Sequence, residues 1–179
     1  MSKPLLLLDI DGPINPYLAR SAPAGYVLHY LRPKAWLDQH LHLLDEDVPD
    51  CPVWLHPEHG AELLDLPFEL VWATMWENDA NHYVAPRIGL PELPVINWTD
   101  PANYPLDGRY FKTADIVNYA AGRPFAWVDD EIGRADREYV SRHHGQHALL
   151  HYVDPAVGLT LDDFEALARW TDDVTSRSR

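Results

Sequence analysis

The run Leu5-Leu6-Leu7-Leu8 ends on Asp9-Ile10-Asp11-Gly12, and this stretch restricts the architecture more than any other in the chain. Four consecutive leucines bury both faces of an extended segment, as in a central strand of a parallel sheet covered on two sides. An antiparallel strand with one wet face would alternate apolar and polar residues instead. In open α/β sheets ligands bind in the crevice beyond the carboxyl ends of the strands. Asp9 and Asp11 close this strand and open a glycine turn, so both carboxylates are expected at such a crevice.

Four later runs repeat the pattern of an apolar stretch closed by a polar residue: Glu69 to Ala73 before Thr74, Val95 to Trp98 before Thr99, Phe125 to Val128 before Asp129, and Ala148 to Val153 before Asp154. Helical stretches are expected between them over Trp76 to Val84, Thr113 to Ala121 and Glu131 to His143. Such alternation predicts an α/β fold with a five-stranded, mainly parallel sheet and helices on both faces. A final helix is marked by Thr160 and Asp163 in a capping-box pattern, with Leu161, Phe164, Leu167 and Trp170 at helical spacing.

The stretch from Gly12 to Glu69 is far longer than one crossover helix needs. It reads as a small flap or cap inserted over residues 13–57, with strands at Tyr26 to Arg32 and Pro52 to His56 and a returning helix at Glu58 to Leu66. A flap rooted beside Asp11 would cover the crevice. Its aromatic residues Tyr17, Tyr26, Tyr30, Trp36 and Trp54 are therefore candidates either for substrate contact or for packing the flap. Residues 1–171 read as one domain, and 172–179 as a polar tail that frays for want of apolar anchors.

With 28 acidic against 14 basic residues the formal charge is −14, which repels a phosphate backbone and argues against long nucleic acid as a partner. A small phosphorylated ligand accompanied by a cation is compatible with that charge. Cys51 is the only cysteine, so an intrachain disulfide is impossible. The first residues lack the extended apolar region of a signal peptide, and no stretch approaches the roughly 20 apolar residues of a membrane span. A cytoplasmic protein with no membrane partner is the expectation, and oligomeric state is not legible. The histidine clusters His56/His59 and His143/His144/His147 lie in separate segments without a cysteine partner, which argues against a zinc centre.

Four carboxylates at one sheet edge, Asp9, Asp11, Asp129 and Asp130, repel one another unless a cation sits among them. Mg²⁺ suits that role, because it binds through one or two carboxylates while holding phosphate. Thr74 closes the second run, and Lys112 stands just ahead of a helical pattern.

Taken together, Leu8-Asp9-Ile10-Asp11-Gly12, Val71-Trp72-Ala73-Thr74, Lys112 and Trp127-Val128-Asp129-Asp130 resemble, in order and placement, the motifs of the haloacid dehalogenase (HAD) superfamily. Within it, the chain looks most like small-capped bacterial phosphatases. The resemblance implies a three-layer Rossmann-like fold and a Mg²⁺-dependent phosphohydrolase that cleaves a small soluble phosphomonoester through an aspartyl-phosphate. A nucleotide or aromatic phosphate fits the aromatic insert. By the same resemblance Asp9 is the nucleophile, Asp11 the general acid and base, and Thr74 and Lys112 the groups that bind phosphate. The metal would take the Asp9 carboxylate, the Asp11 backbone carbonyl and one of Asp129 and Asp130. Carbon–halogen hydrolases of this superfamily lack the second aspartate, so Asp11 argues against that activity. A receiver domain would carry its lysine after the acidic motifs, whereas Lys112 precedes Asp129. The non-enzymatic alternative is a HAD-like protein that binds a phosphorylated metabolite or a protein partner. One departure is Pro13, where relatives often carry Thr or Val, and it stiffens the turn into the flap.

Overall fold

The computed structural model describes residues 3–102, 104–145 and 147–177. Its main sheet joins β1 (Leu5–Leu8), β4 (Glu69–Trp72), β5 (Phe125–Asp129) and β6 (Ala148–Tyr152) in the order β4-β1-β5-β6, with every pairing parallel. Because β1 is central, Leu8 lies opposite Trp72 on one side and Val128 on the other. The residues that follow these three strands therefore emerge together at one edge.

The alternation of side chains along β1 sorts its leucines to opposite faces. Leu6 and Leu8 join one core cluster, which takes in α2 (His59–Asp65), α3 (Ala85–Ile88) and α6 (Leu161–Arg177) through Leu63, Ile88 and Leu167. Leu5 and Leu7 join a second cluster with Ile116 of α4 (Lys112–Ala120) and Val140 of α5 (Arg134–His143). The leucine run is thus buried on both faces, each member 1% exposed or less.

The insert after β1 contains a hairpin of β2 (Val27–Leu31) and β3 (Cys51–Leu55), antiparallel from Val27 opposite Leu55 to Leu31 opposite Cys51. A short helix unforeseen from sequence, α1 (Lys34–Gln39), lies in the connection between the two strands. Arg32 ties that connection down by donating to the carbonyls of Val48 at 2.8 Å and Asp45 at 2.6 Å. Trp36 adds a bond from its indole to the Pro49 carbonyl at 2.8 Å.

Three expectations are corrected. The sheet has four strands rather than five, because the Val95 to Trp98 run contributes only a single parallel bridge between Val95 and Trp72. Pro91 and Pro94 remove donors from this segment, and its ladder is limited to Trp72 N to the Pro94 carbonyl at 2.8 Å and Ile96 N to the Trp72 carbonyl at 2.9 Å. The expected helix over Trp76 to Val84 is replaced by turns, then a π-helical turn over Ala80–Val84 that leads into α3. Glu77 has φ 49°, a left-handed conformation that a right-handed helix cannot contain. The segment 172–179, expected to fray, continues α6 through Arg177, since Val174 is buried at 7% exposure and anchors the last turns. Ser178 and Arg179 lie outside the described residues.

The capping pattern at Thr160 is present. Its backbone N–H and hydroxyl both donate to the Asp163 carboxylate, at 2.8 and 2.6 Å. Among the described residues no helix is long and apolar enough to cross a membrane.

Candidate active site

Asp9 leaves the end of β1 with its carboxylate nearly enclosed, and Oδ1 accepts the Ile10 N–H at 2.7 Å. Its other oxygen meets Lys112 Nζ at 2.6 Å, and the same ammonium reaches Asp129 Oδ2 at 2.9 Å. Lys112 is the first residue of α4, so the start of that helix aims a cation between the ends of β1 and β5. Asp129 is further fixed by the Trp127 indole at 3.1 Å and the Glu131 N–H at 2.8 Å. Lys112 is 1% exposed and Asp129 fully buried, so these charges face each other without intervening bulk water.

Burial by itself would favour a neutral Lys112, yet Asp129 and Asp9 hold its ammonium above the ordinary lysine range. For Asp9, burial pushes the carboxyl well above the usual carboxylate range against the pull of Lys112, and Asp129 and Asp11 add to the rise. Asp130 is pushed up to about 6, chiefly by burial and then by Asp129, while its hydrogen bond from Tyr17 opposes the shift. One ammonium therefore undercompensates the acids around it.

Asp9, Asp129 and Asp130 each offer a carboxylate oxygen within 4.8 Å of the others. An all-oxygen, all-anionic donor set fits a hard divalent cation better than a thiophilic one. Gly12 makes room for this group: its φ is 89°, and a Cβ there would stand 2.5 Å from Asp130 Cγ. The Asp11 carboxylate does not join the set. Asn15 Nδ2 donates to one of its oxygens at 2.8 Å, and the Trp76 indole donates to the other at 2.9 Å. Asn15 also accepts the backbone N–H of Trp54 at 2.9 Å, which links Asp11 to the flap hairpin through one side chain.

Thr74 follows β4 at the same edge and is 1% exposed, with its hydroxyl accepting the Trp76 N–H at 3.3 Å. Its carbonyl accepts the Trp98 indole at 3.1 Å. The turn around Pro13 is held at both ends, by Gly12 N to the Asn15 carbonyl at 2.9 Å and by the Pro13 carbonyl accepting Leu159 N at 2.8 Å.

A cavity of about 540 Å³ opens over this edge between the sheet and the flap. Asp9, Asp11, Lys112 and Asp130 line its floor, while Trp36 and Trp54 reach it from the flap. Of the flap aromatics proposed from sequence, Tyr17 also lines the cavity and donates to Asp130 at 3.1 Å. Tyr26 instead packs edge-on against His56 and His59 at the hairpin base, and Tyr30 is 65% exposed. Sequence reasoning missed Trp76 and Tyr110 as lining residues, having read Trp76 only as the start of a helix. A signal existed in the position of Trp76, two residues past Thr74 at a strand end. Cys51 borders the cavity too, but burial and then Asp11 push its thiol up to about 11, so it stays protonated at neutral pH and is a poor nucleophile. Comparison with family models, with curated proteins and with solved structures finds no match.

Proposed function

We propose that this chain is a Mg²⁺-dependent phosphohydrolase of the haloacid dehalogenase type, with the three-layer Rossmann-like fold of that superfamily, acting on a small phosphomonoester through an aspartyl-phosphate. The observation that carries the reading is the convergence of Asp9, Lys112 and Asp130, from three separate chain segments, on the floor of one cavity that also contains Asp11, with Asp129 fully buried against Lys112. Phosphoryl transfer asks the protein mainly for positioning and for electrostatic stabilisation of phosphoryl oxygens; these residues provide the positioning and the ligands for a cation that would supply the charge.

In this mechanism Asp9 Oδ attacks phosphorus, the bond to the alcohol oxygen breaks, and Asp11 delivers a proton to that oxygen. Water then attacks the aspartyl-phosphate, Asp11 takes the water's proton, and the Asp9–phosphorus bond breaks to release inorganic phosphate. Asp9 suits the attack because the Ile10 N–H and Lys112 fix its oxygens in direction. Asp11 suits proton transfer because Asn15 and Trp76 hold it within the cavity but outside the ion-paired cluster. Asp9, Asp129 and Asp130 would hold Mg²⁺, which when bound supplies the charge that offsets both the acids and the phosphate. Lys112 opposes the neutralisation of Asp9 that burial favours and orients its carboxyl, whereas Thr74, at the end of β4, is 1% exposed and is not among the residues lining the cavity.

The test is phosphate release from a panel of phosphomonoesters with Mg²⁺ and with chelator, run beside Asp9→Asn. Metal-dependent release that disappears in the variant is the expected result. Release at the wild-type rate from Asp9→Asn would refute the mechanism. Silence across the panel, with Mg²⁺ still raising thermal stability, would instead favour a HAD-like protein that binds a phosphorylated metabolite without turning it over.

A further inference from the structure

The walls and the floor of the cavity differ in chemistry. The floor is acidic, whereas the walls are built largely from rings: Trp36 and Trp54 from the flap, Trp76 after β4 and Tyr110 ahead of α4. Trp76 is fixed, since its indole donates to Asp11 at 2.9 Å. Trp36 is fixed as well, by its 2.8 Å bond to Pro49. A ring held by its N–H loses little freedom when a ligand binds; His40 already packs against Trp36 at 4.5 Å, so a ligand can use only the rest of that ring's surface.

The cavity also has no free cation for a second anionic group. Lys112 is the one basic residue among the described residues lining it, and its ammonium already lies between Asp9 and Asp129. Arg32, on the flap, is occupied with Val48, Asp45 and Asp50. Arg109, three residues before Lys112, pairs with Asp107 at 2.7 Å and lies 4.0 Å over the Tyr139 ring. Asp130 and Glu131 at the cavity border would repel any additional phosphate or carboxylate. The volume of about 540 Å³ falls in the range of pockets for ligands of drug size, larger than a compact ammonium headgroup needs. Aromatic walls can also bind cations, but that size favours a flat ring system.

We infer that the alcohol part of the substrate is uncharged and carries an aromatic ring that stacks between the flap tryptophans and Trp76, as in a nucleoside monophosphate, and that substrates with a second anionic group are rejected. This inference rests on the phosphohydrolase reading above and adds the substrate class.

The experiment compares kcat/KM for adenosine monophosphate, adenosine bisphosphate, a hexose phosphate and phosphocholine, with Mg²⁺ present and with Asp9→Asn as the background. Adenosine monophosphate is expected to exceed the hexose phosphate by about tenfold or more, the scale of one base stacked on an aromatic ring, and to exceed the bisphosphate as well, because a second phosphate meets Asp130 and Glu131 with no free cation. In Trp54→Ala that preference over the hexose phosphate should fall roughly tenfold through KM, and Trp54→Phe should restore most of it. Equal kcat/KM for adenosine monophosphate and the hexose phosphate would overturn the inference and leave the phosphohydrolase standing. A preference for phosphocholine or for the bisphosphate would overturn it too. Absence of metal-dependent hydrolysis from every ester would overturn both readings.

Discussion

Replacing Lys112 by Met tests the electrostatic core of the site, because Met keeps the length of the side chain while removing the ammonium. In the native chain that ammonium stands 2.6 Å from Asp9 and 2.9 Å from Asp129, and it is 1% exposed. Removing one partner of a buried ion pair leaves an uncompensated charge and costs about 3–5 kcal/mol. Here two carboxylates lose their partner, so the upper part of that range is expected at neutral pH without metal. For a domain of this size each kcal/mol moves Tm by roughly 2–4 °C, so the loss should be on the order of 10–20 °C. Two further observations give the cause. Mg²⁺ should restore more stability to Lys112→Met than it adds to the wild type, because a cation among the carboxylates takes over the missing charge. The deficit should also shrink as pH falls, since burial already favours a neutral Asp9 and protonation removes the stranded charge. The assay is thermal and urea denaturation across pH, with Mg²⁺ and with chelator. A loss below about 1 kcal/mol at neutral pH, insensitive to Mg²⁺, would refute the reasoning, since such a value is typical of exposed pairs.

Other predictions follow from separate parts of the molecule. His59 is buried beside His56, and burial followed by that neighbour lowers its pKa from 6.5 to about 4. A lowered folded-state pKa means that the unfolded chain binds more protons in this window. Stability is therefore full above pH 6.5 and falls as pH drops toward about 4, by up to about 3 kcal/mol, and His59→Phe should flatten that slope in urea titrations. Trp76→Phe keeps a ring in the wall but removes the indole N–H that holds Asp11. Steady-state kinetics should give a kcat at least tenfold lower, in keeping with the roughly 1.5–3 kcal/mol of a hydrogen bond to a charged group, and an unchanged kcat would dismiss Trp76 as a positioning residue. Gly12→Ala combines a left-handed φ of 89° with a Cβ 2.5 Å from Asp130 Cγ, so it should destabilise the fold by more than about 1 kcal/mol and weaken the Mg²⁺-dependent gain in Tm.

Residues 5–12 alone determined that a buried strand ends in two carboxylates at a glycine turn, because a leucine run with no alternation has few alternatives to a central parallel position. The ends of β4, β5 and β6 were legible as apolar runs closed by a polar residue, and so were Lys112, Asp129 and Asp130 as residues that meet Asp9 there. Local pattern also marked the start of α6 through Thr160 and Asp163. What followed from long-range contacts was not legible. The run at Val95 had strand composition, but Pro91 and Pro94 cut its ladder to a single bridge. The polar stretch after Asp172 looked frayed, but burial of Val174 holds it helical. Only the tertiary structure decided that Lys112 joins Asp9 to Asp129, that Asn15 connects Asp11 to the flap, and that Trp76 leaves its expected helix to grip Asp11. Periodicity reports which side of a segment is apolar, whereas a site is made by side chains whose partners lie far away in sequence, as Lys112 lies 103 residues from Asp9.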